Sequence, residues 1–507
     1  MKKALISVSD KTNLIPCAQS LVSLGYEIIS TGGTYQALHQ AGIAVTSIED
    51  VTHFPEMLDG RVKTLHPMIH GGILAKRDNL AHTTKLIEHN IQPIDVVIVN
   101  LYPFEATIKK ANVSFEEIIE NIDIGGPTML RSAAKNYHDV CVVCDVNDYD
   151  ELIEECTNSE GPSLSFKRKL ANKVFQTTAS YDALIASVLS EEDFPSTLTQ
   201  TYTKVMDCRY GENPHQKAAF YKTILSEPNS VANTTQLQGK VLSFNNIQDA
   251  NAALALLSEF EEACCVALKH TNPCGVGVAQ SIEQAWTKAY EADKVSIFGG
   301  IVVFNREVTQ TVAQGLIDLF LEVVCAPSFS KEALELLAKK PNVRVLVTQE
   351  HYEKAYTLTS TRVAGGMLVQ SVDDAKLKRE ECTIVSGQLD QSTWDDCIFA
   401  MKVCKHLKSN AIVIAKDGQT LGVGGGQSNR VGAAKIALEQ AQSLSQGAVL
   451  ASDAFFPMPD TVELAASYGI KAIIQPGGSI KDHLSIEVCQ KEGIAMVFTH
   501  IRHFKHG

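Results

Sequence analysis

Lys269 and His270 stand side by side in the run Leu268-Lys-His-Thr-Asn-Pro-Cys-Gly275, a cation beside a base. Such a pair can take a proton from a weakly nucleophilic amine while the ammonium steadies an oxyanion forming at a carbonyl. A second set lies far upstream. Lys63 falls in Gly60-Arg-Val-Lys-Thr-Leu-His-Pro67, Tyr102 in Asn100-Leu-Tyr-Pro-Phe104, and Asp123 in Ile122-Asp-Ile-Gly-Gly-Pro127, which opens a helix carrying Lys135. Ammonium, phenol and carboxylate around one crevice would donate and accept protons at a carbonyl that becomes tetrahedral. Two loops of small residues have the form of anion cradles, because backbone N–H groups and the helix dipole both favour negative charge where a strand meets a helix. One is Ser7-Val-Ser-Asp-Lys-Thr12, with Ser9 and Lys11; the other is Ser30-Thr31-Gly32-Gly33-Thr34. With Arg61, Lys63 and Thr64 they would compose a pocket for a phosphorylated metabolite. Taken singly, each residue has an ordinary structural reading: a half-exposed tyrosine, a helix cap, a solvated lysine, a tight turn.

Other chemistries lack their motifs. No GxxxxGK[ST] run exists, which argues against a nucleoside triphosphatase. Gly422-x-Gly424-x-x-Gln427 misses the last glycine of a dinucleotide fingerprint. His351-x-Glu353 resembles half of a zinc deaminase signature, but no Pro-Cys-x-x-Cys follows, so no catalytic metal is expected. Lys and Arg number 45 against 58 Asp and Glu, a net charge of −13, which disfavours nucleic acid and anionic membranes as partners. No apolar run of about 18 residues occurs, and the apolar start Ala4 to Val8 is too short for a secretion signal, so the expected location is cytoplasmic. The 13 cysteines are unpaired in number and irregular in spacing, as in a reduced protein; Cys141 and Cys144 read as part of a core strand.

The elements that must position these groups alternate along the chain. Ala4 to Val8, Tyr26 to Ser30, Ile43 to Ile48, Asp95 to Leu101 and Val140 to Cys144 read as strands, with helices predicted over 12–24, 35–41, 79–90, 114–121, 127–136 and 147–156. That is the α/β signature of a parallel sheet covered on both faces, and parallel strands bring both anion loops to one carboxyl edge. A long helical pattern from Phe166 to Leu189 and the polar stretch after Ser190 place a domain boundary near 195. Residues 196–507 alternate again, in two halves of roughly 196–365 and 366–507. Each half has an apolar strand leading into a Gly-rich loop, at Ala267 to Gly277 and Ile412 to Gly426, which suggests a duplication.

In order, these runs, with Arg209-Tyr-Gly-Glu-Asn-Pro-His-Gln216, Ser296-Ile-Phe-Gly-Gly300, Lys408-Ser-Asn410, Ala451-Ser-Asp-Ala-Phe-Phe-Pro457 and the tail Arg502-His-Phe-Lys-His506, resemble one family over essentially the whole chain. It is the bifunctional purine-biosynthesis family that joins AICAR transformylase (phosphoribosylaminoimidazolecarboxamide formyltransferase) to IMP cyclohydrolase. The resemblance implies an α/β protein: a methylglyoxal-synthase-like, Rossmann-type first domain, then tandem cytidine-deaminase-like α/β/α units. It implies formyl transfer from 10-formyltetrahydrofolate to AICAR, giving FAICAR, then ring closure to IMP, in a homodimer whose transformylase sites lie at the interface. It gives His270 the role of base and Lys269 that of oxyanion or leaving-group partner, with Asn410 on the formyl oxygen. Arg209, Tyr210, Gly300 and Arg502 would hold the ribonucleotide, and Phe455 and Asp460 would border the folate. Lys63, Tyr102, Asp123 and Lys135 match the cyclohydrolase positions, with Lys135 and Asp123 relaying the amide proton. Ser9, Lys11, Ser30, Thr31, Gly32, Gly33, Thr34, Arg61 and Thr64 match its phosphate and ribose contacts. Met458 and Lys505 depart from the family's usual aromatic residue and arginine. A rival reading makes the first domain only a binding module for a phosphorylated effector.

Overall fold

The computed structural model describes residues 2–58, 60–226, 230–348 and 358–506, and the chain divides into two compact units, Met1–Tyr202 and Thr203–Gly507. His351 and Glu353 lie outside the described residues.

In the first unit, β1 (Lys2–Val8), β2 (Tyr26–Ser30), β3 (Val45–Ser47), β4 (Val96–Asn100) and β5 (Cys141–Val143) form one parallel sheet in the order β3-β2-β1-β4-β5. The strands are apolar on both faces because both are covered: Ala4, Ile6 and Ile98 pack into one core, Leu5, Val97 and Val99 into another. Helices Leu14–Ser23 and Tyr149–Cys156 cover the first face; Pro67–Leu74, Gly125–Lys135 and part of Leu164–Leu189 cover the second. All five predicted strands are present. Short helices at Ile48–Thr52 and Phe104–Ile108, and the helix Pro67–Leu74, were not expected from the sequence pattern.

A two-stranded ribbon, β6 (Tyr202–Cys208) with β7 (Ala218–Thr223), precedes the twelve-stranded mixed sheet on which the second unit is built. The first half of that sheet contains β8 (Thr235–Gln238), β9 (Ala263–Lys269), β10 (Asn272–Ala279), β11 (Ile301–Phe304), β12 (Val323–Ala326) and β13 (Arg344–Val347). A second ribbon, β14 (Leu358–Val363) with β15 (Gly366–Ser371), stands apart from it. The second half contains β16 (Thr383–Ser386), β17 (Ile412–Lys416), β18 (Gln419–Gly424), β19 (Val449–Ser452), β20 (Ala472–Gln475) and β21 (Ala495–Phe498). The order is β16-β21-β20-β19-β17-β18-β10-β9-β11-β12-β13-β8, so each half repeats one six-strand pattern and the halves meet where β10 pairs with β18. Helices Phe244–Leu257 and Gln391–Cys404 share one core across both halves, and separate helix sets cover the opposite face of each.

The Gly-rich stretches expected as loops are instead strands β10 and β18, each the antiparallel partner of the apolar strand before it. Their glycines answer a packing demand. A Cβ on Gly277 would meet the Ala285 carbonyl at 2.3 Å, and one on Gly422 the Ala437 carbonyl at 1.9 Å, because helices Ile282–Ala292 and Arg430–Ala441 lie directly on these strands.

Candidate functional site

The strand order fixes where a ligand can sit in the first unit. The chain runs from β1 outward to β2 and β3, then crosses to β4 and β5 on the other side, so the loops after β1 and β4 diverge and leave a crevice. A cavity of about 560 Å³ occupies it, walled by Ser9, Lys11, Thr31 to Thr34, Arg61, Lys63, Thr64, Asn100, Tyr102 and Asp123 to Gly126. Asn100 shapes the first loop: its Oδ1 accepts the N–H groups of Ser9 (2.6 Å) and Asp10 (3.0 Å), and its Nδ2 donates to the Asp10 carbonyl (3.0 Å). Thr34 ties the second loop to β1 by accepting the Val8 N–H and donating to the Val8 carbonyl, both at 2.9 Å. Ser30 is buried and donates to the Ile6 carbonyl at 2.7 Å, so its side chain braces the sheet instead of lining the cavity.

Thr31 differs. It precedes helix Gly32–Gln40 without capping it, and its buried Oγ1 has no hydrogen-bond partner among the described residues. Two ammonium groups lie over the same turn: a Cβ on Gly32 would be 3.5 Å from Lys63 Nζ, and one on Gly33 3.8 Å from Lys11 Nζ. Unused hydroxyl, helix N-terminus and two cations converge as an anion cradle.

Across the cavity, Asp123 is held by its surroundings. Its Oδ1 accepts the Gly126 N–H (2.8 Å), its Oδ2 accepts the Tyr102 N–H (3.4 Å), and its own N–H donates to Tyr181 Oη (2.8 Å). Burial raises the carboxyl's pKa, opposed by those two N–H groups and by the charge of Lys63. A half-screened carboxyl beside an ammonium and the exposed phenol of Tyr102 is equipped for proton transfer. Glycine is required at 126, where a Cβ would sit 2.4 Å from Asp123 Oδ2. Glu56 lies 3.4 Å from Lys63 Nζ, and Arg61 pairs with Glu120. Lys135 is not brought to this group. It is exposed at the far end of helix Gly125–Lys135, about 14 Å of helix rise from Gly126, so the expected direct relay with Asp123 does not form within the chain.

In the second unit the predicted residues fall into two clusters. Lys269 ends β9, and its Nζ donates to the Phe298 carbonyl at 2.7 Å; His270 follows, exposed, with φ 54°. The next turn carries Gly299 and Gly300, with Gly300 packed against the Leu268 carbonyl, 2.8 Å from where a Cβ would sit. Phe298 meets Phe320 with ring centroids 5.3 Å apart. Phe320 in turn lines a cavity of about 590 Å³ with Arg209, Tyr210, Lys240, Lys339, Lys340, Glu322 and Arg344. That cavity is strongly cationic, its one carboxylate already paired with Arg344.

The second cluster gathers around Asn410. Its Oδ1 accepts from Arg430 Nη2 (2.6 Å), its Nδ2 donates to the Gln427 carbonyl (2.8 Å), and Arg430 is buried against Asp453. Phe455 follows Asp453 in the same loop, and Asp460 starts helix Asp460–Ser467, its Oδ1 accepting the Thr461 N–H at 2.8 Å. The tail is fastened here by the His503 N–H on the Asp453 carbonyl (3.0 Å) and the Ser409 N–H on the Lys505 carbonyl (2.9 Å), with Arg502 stacked 4.4 Å over the Phe504 ring. Partial desolvation of its ammonium lowers the pKa of Lys505, as does the charge of Lys408. No hydrogen bond joins the two clusters among the described residues. Nor, among these residues, do three His, Cys, Asp or Glu side chains group as a metal site. Tyr181, Asp249 and Arg430, which support these groups through single hydrogen bonds, were not singled out from the sequence and have no local motif to announce them; Asp453 lies within the Ala451 to Pro457 run.

Two polar sites built of cations and proton-handling groups at strand ends define an α/β enzyme acting on anionic metabolites. The sequence pattern of the family described as "AICARFT/IMPCHase bienzyme" matches residues 133–440, and that of the "MGS-like domain" matches residues 13–128. Proteins named "Bifunctional purine biosynthesis protein PurH" align over all of this chain and all of their own length, at 55% identity in Oceanobacillus iheyensis and 56% in Listeria monocytogenes serotype 4b. A solved chain titled "Crystal structure of ForH" is 36% identical, covering 37% of this chain and 99% of its own, with a TM-score of 0.34. The chain belongs to the AICARFT/IMPCHase bienzyme family. It is a bifunctional enzyme of purine biosynthesis, with AICAR formyltransferase and IMP cyclohydrolase activities and a formyl-folate cosubstrate.

Proposed function

We propose that the two activities divide between the two units and that the residues act as follows. In the second unit the formyl group moves from 10-formyltetrahydrofolate to the 5-amino group of AICAR. That amine shares its lone pair with the imidazole and carboxamide, so it attacks only as a base removes its proton, and His270 is that base. Lys269, steadied by the Phe298 carbonyl, stabilises the tetrahedral oxyanion or protonates the departing folate nitrogen. Asn410 has one amide hydrogen on Gln427 and offers the other to the formyl oxygen. Arg209 and its neighbouring lysines take the phosphate, Tyr210, Gly300 and Arg502 complete the ribonucleotide site, and Phe455 and Asp460 border the folate. The clusters around Lys269 and Asn410 complete each other across a homodimer, working in the cytoplasm.

In the first unit the cradle of Ser9, Lys11 and Thr31 to Thr34 holds the phosphate of FAICAR. Asp123 takes the carboxamide proton as that nitrogen attacks the formyl carbon, and Lys63 and Tyr102 assist the oxygen that leaves as water, giving IMP. Lys63 is the lysine whose charge reaches Asp123 within the chain, where the family resemblance implied Lys135. The observation that carries this reading over an effector-binding module is the convergence of Lys63, Tyr102 and Asp123 on the anion cradle in one cavity. The test supplies AICAR and 10-formyltetrahydrofolate and follows tetrahydrofolate and IMP separately. His270→Ala should lose formyl transfer by at least about a hundredfold while still cyclising added FAICAR, and Asp123→Asn should do the reverse. Parental cyclisation by Asp123→Asn would overturn the role given to Asp123.

A further inference from the structure

The pair Lys269–His270 sits in a backbone conformation that its own residue types do not favour. β9 and β10 form a hairpin in which Lys269 pairs with Asn272, leaving His270 and Thr271 as a two-residue turn. Both have positive φ, 54° and 60°. Tight hairpins require this pattern and normally meet it with Asn-Gly or Asp-Gly; a β-branched threonine there is an outlier. Something outside the turn must hold it. The Thr271 hydroxyl donates to the His270 carbonyl at 2.7 Å and Asn272 Nδ2 to the same oxygen at 2.8 Å, but neither engages the turn's N–H groups. Those face Asp249, on helix Phe244–Leu257, whose Oδ1 accepts the Thr271 N–H at 2.8 Å. The His270 N–H and imidazole also act on this carboxyl, opposing the rise in pKa that burial gives it.

We propose that Asp249 is a positioning residue for formyl transfer: its carboxylate clamps the His270–Thr271 turn in its positive-φ form and thereby aims the imidazole and the Lys269 ammonium at the reacting centre. This rests on the reading of His270 as the base. A turn released from the clamp relaxes toward ordinary φ values and moves both groups by an ångström or more, a displacement that costs about a hundredfold in rate. Glycine in place of Thr271 adopts positive φ without strain, so Thr271→Gly should make the clamp dispensable.

The experiment is a kinetic cycle on the full chain with AICAR and 10-formyltetrahydrofolate, taking Asp249→Ala, Thr271→Gly, the double variant, Asp249→Asn and His270→Ala together. Asp249→Ala should lower kcat for formyl transfer about a hundredfold with the KM for AICAR within about threefold of the parent. Thr271→Gly should stay near the parent, and the double variant should recover at least about tenfold over Asp249→Ala. Asp249→Asn keeps a carbonyl acceptor and should retain more activity than the alanine variant. Equal losses from Asp249→Ala with and without Thr271→Gly would overturn the clamp, as would an Asp249→Ala enzyme of parental kcat. Should Asp249→Ala not fold, the cycle is run with Asp249→Asn, where a loss that Thr271→Gly does not reduce overturns the clamp equally. Parental activity in His270→Ala would instead remove the underlying reading, a result distinct from the others.

Discussion

Replacing Tyr181 with phenylalanine removes one oxygen from the first unit and should slow ring closure while leaving formyl transfer untouched. Tyr181 lies on helix Leu164–Leu189, and its hydroxyl accepts the Asp123 N–H at 2.8 Å and donates to the Asn121 carbonyl at 3.3 Å. Its ring meets Phe104 edge-on, centroids 6.0 Å apart, a contact that phenylalanine keeps. Of the three bonds that orient Asp123, the one from Tyr102 is long at 3.4 Å, so Gly126 and Tyr181 carry most of the restraint. Without the hydroxyl, a partly buried N–H loses its acceptor, at a cost of about 1–2 kcal/mol to the conformation that presents the carboxylate. At 1.36 kcal/mol per factor of ten, cyclisation of FAICAR should fall about five- to thirtyfold. The assay follows hypoxanthine absorbance as IMP forms, normalised to formyl transfer by the same preparation, which corrects for concentration and for folding of the second unit. Cyclisation within twofold of the parent would refute the argument that Asp123 depends on this bond.

Three further outcomes follow from the geometry. Gly126→Ala should abolish cyclisation while sparing formyl transfer, since the new Cβ would lie 2.4 Å from Asp123 Oδ2; a crystal structure of the variant should show the carboxylate displaced. On the proposed homodimer with shared sites, mixed and reassociated His270→Ala and Asn410→Ala chains should regain about a quarter of the parental formyl transfer, because half the dimers would be mixed and each would have one intact site; no recovery would deny that the site is shared between subunits. In the second unit Glu259 is partly buried, which works against its charge, but His406 and Lys405, at 3.0 and 3.1 Å, outweigh this and hold its pKa at about 2. A carboxyl depressed on folding stabilises fully above its unfolded value of 4.5 and progressively less as pH falls toward 2, so stability should fall across that window and fall less in Glu259→Gln; urea unfolding of both at several pH values measures it.

The sequence by itself determined the first unit's architecture and most of its cavity. Strands buried on both faces must be apolar throughout, so β1, β2, β4 and β5 are legible as β-branched runs, and parallel topology then obliges the loops after them to share one edge. Ser9, Lys11, Thr31 and Tyr102 could therefore be grouped before any coordinate was known. What only the tertiary structure decided depends on contacts between distant elements. β10 and β18 read as loops because glycine content is a local signal, whereas the reason for the glycines is a helix carbonyl pressed against each strand. Lys135 lies on the helix that the Asp123 motif opens and was expected beside it, yet that continuous helix carries it away from the cavity. Tyr181, Asp249 and Arg430 reach their partners from 58, 22 and 20 residues away. Chemistry-bearing residues sit in recognisable loops because the reaction constrains their types and spacing; the residues that aim them need only present one hydrogen-bonding atom at the right point in space, and no pattern along the chain records that.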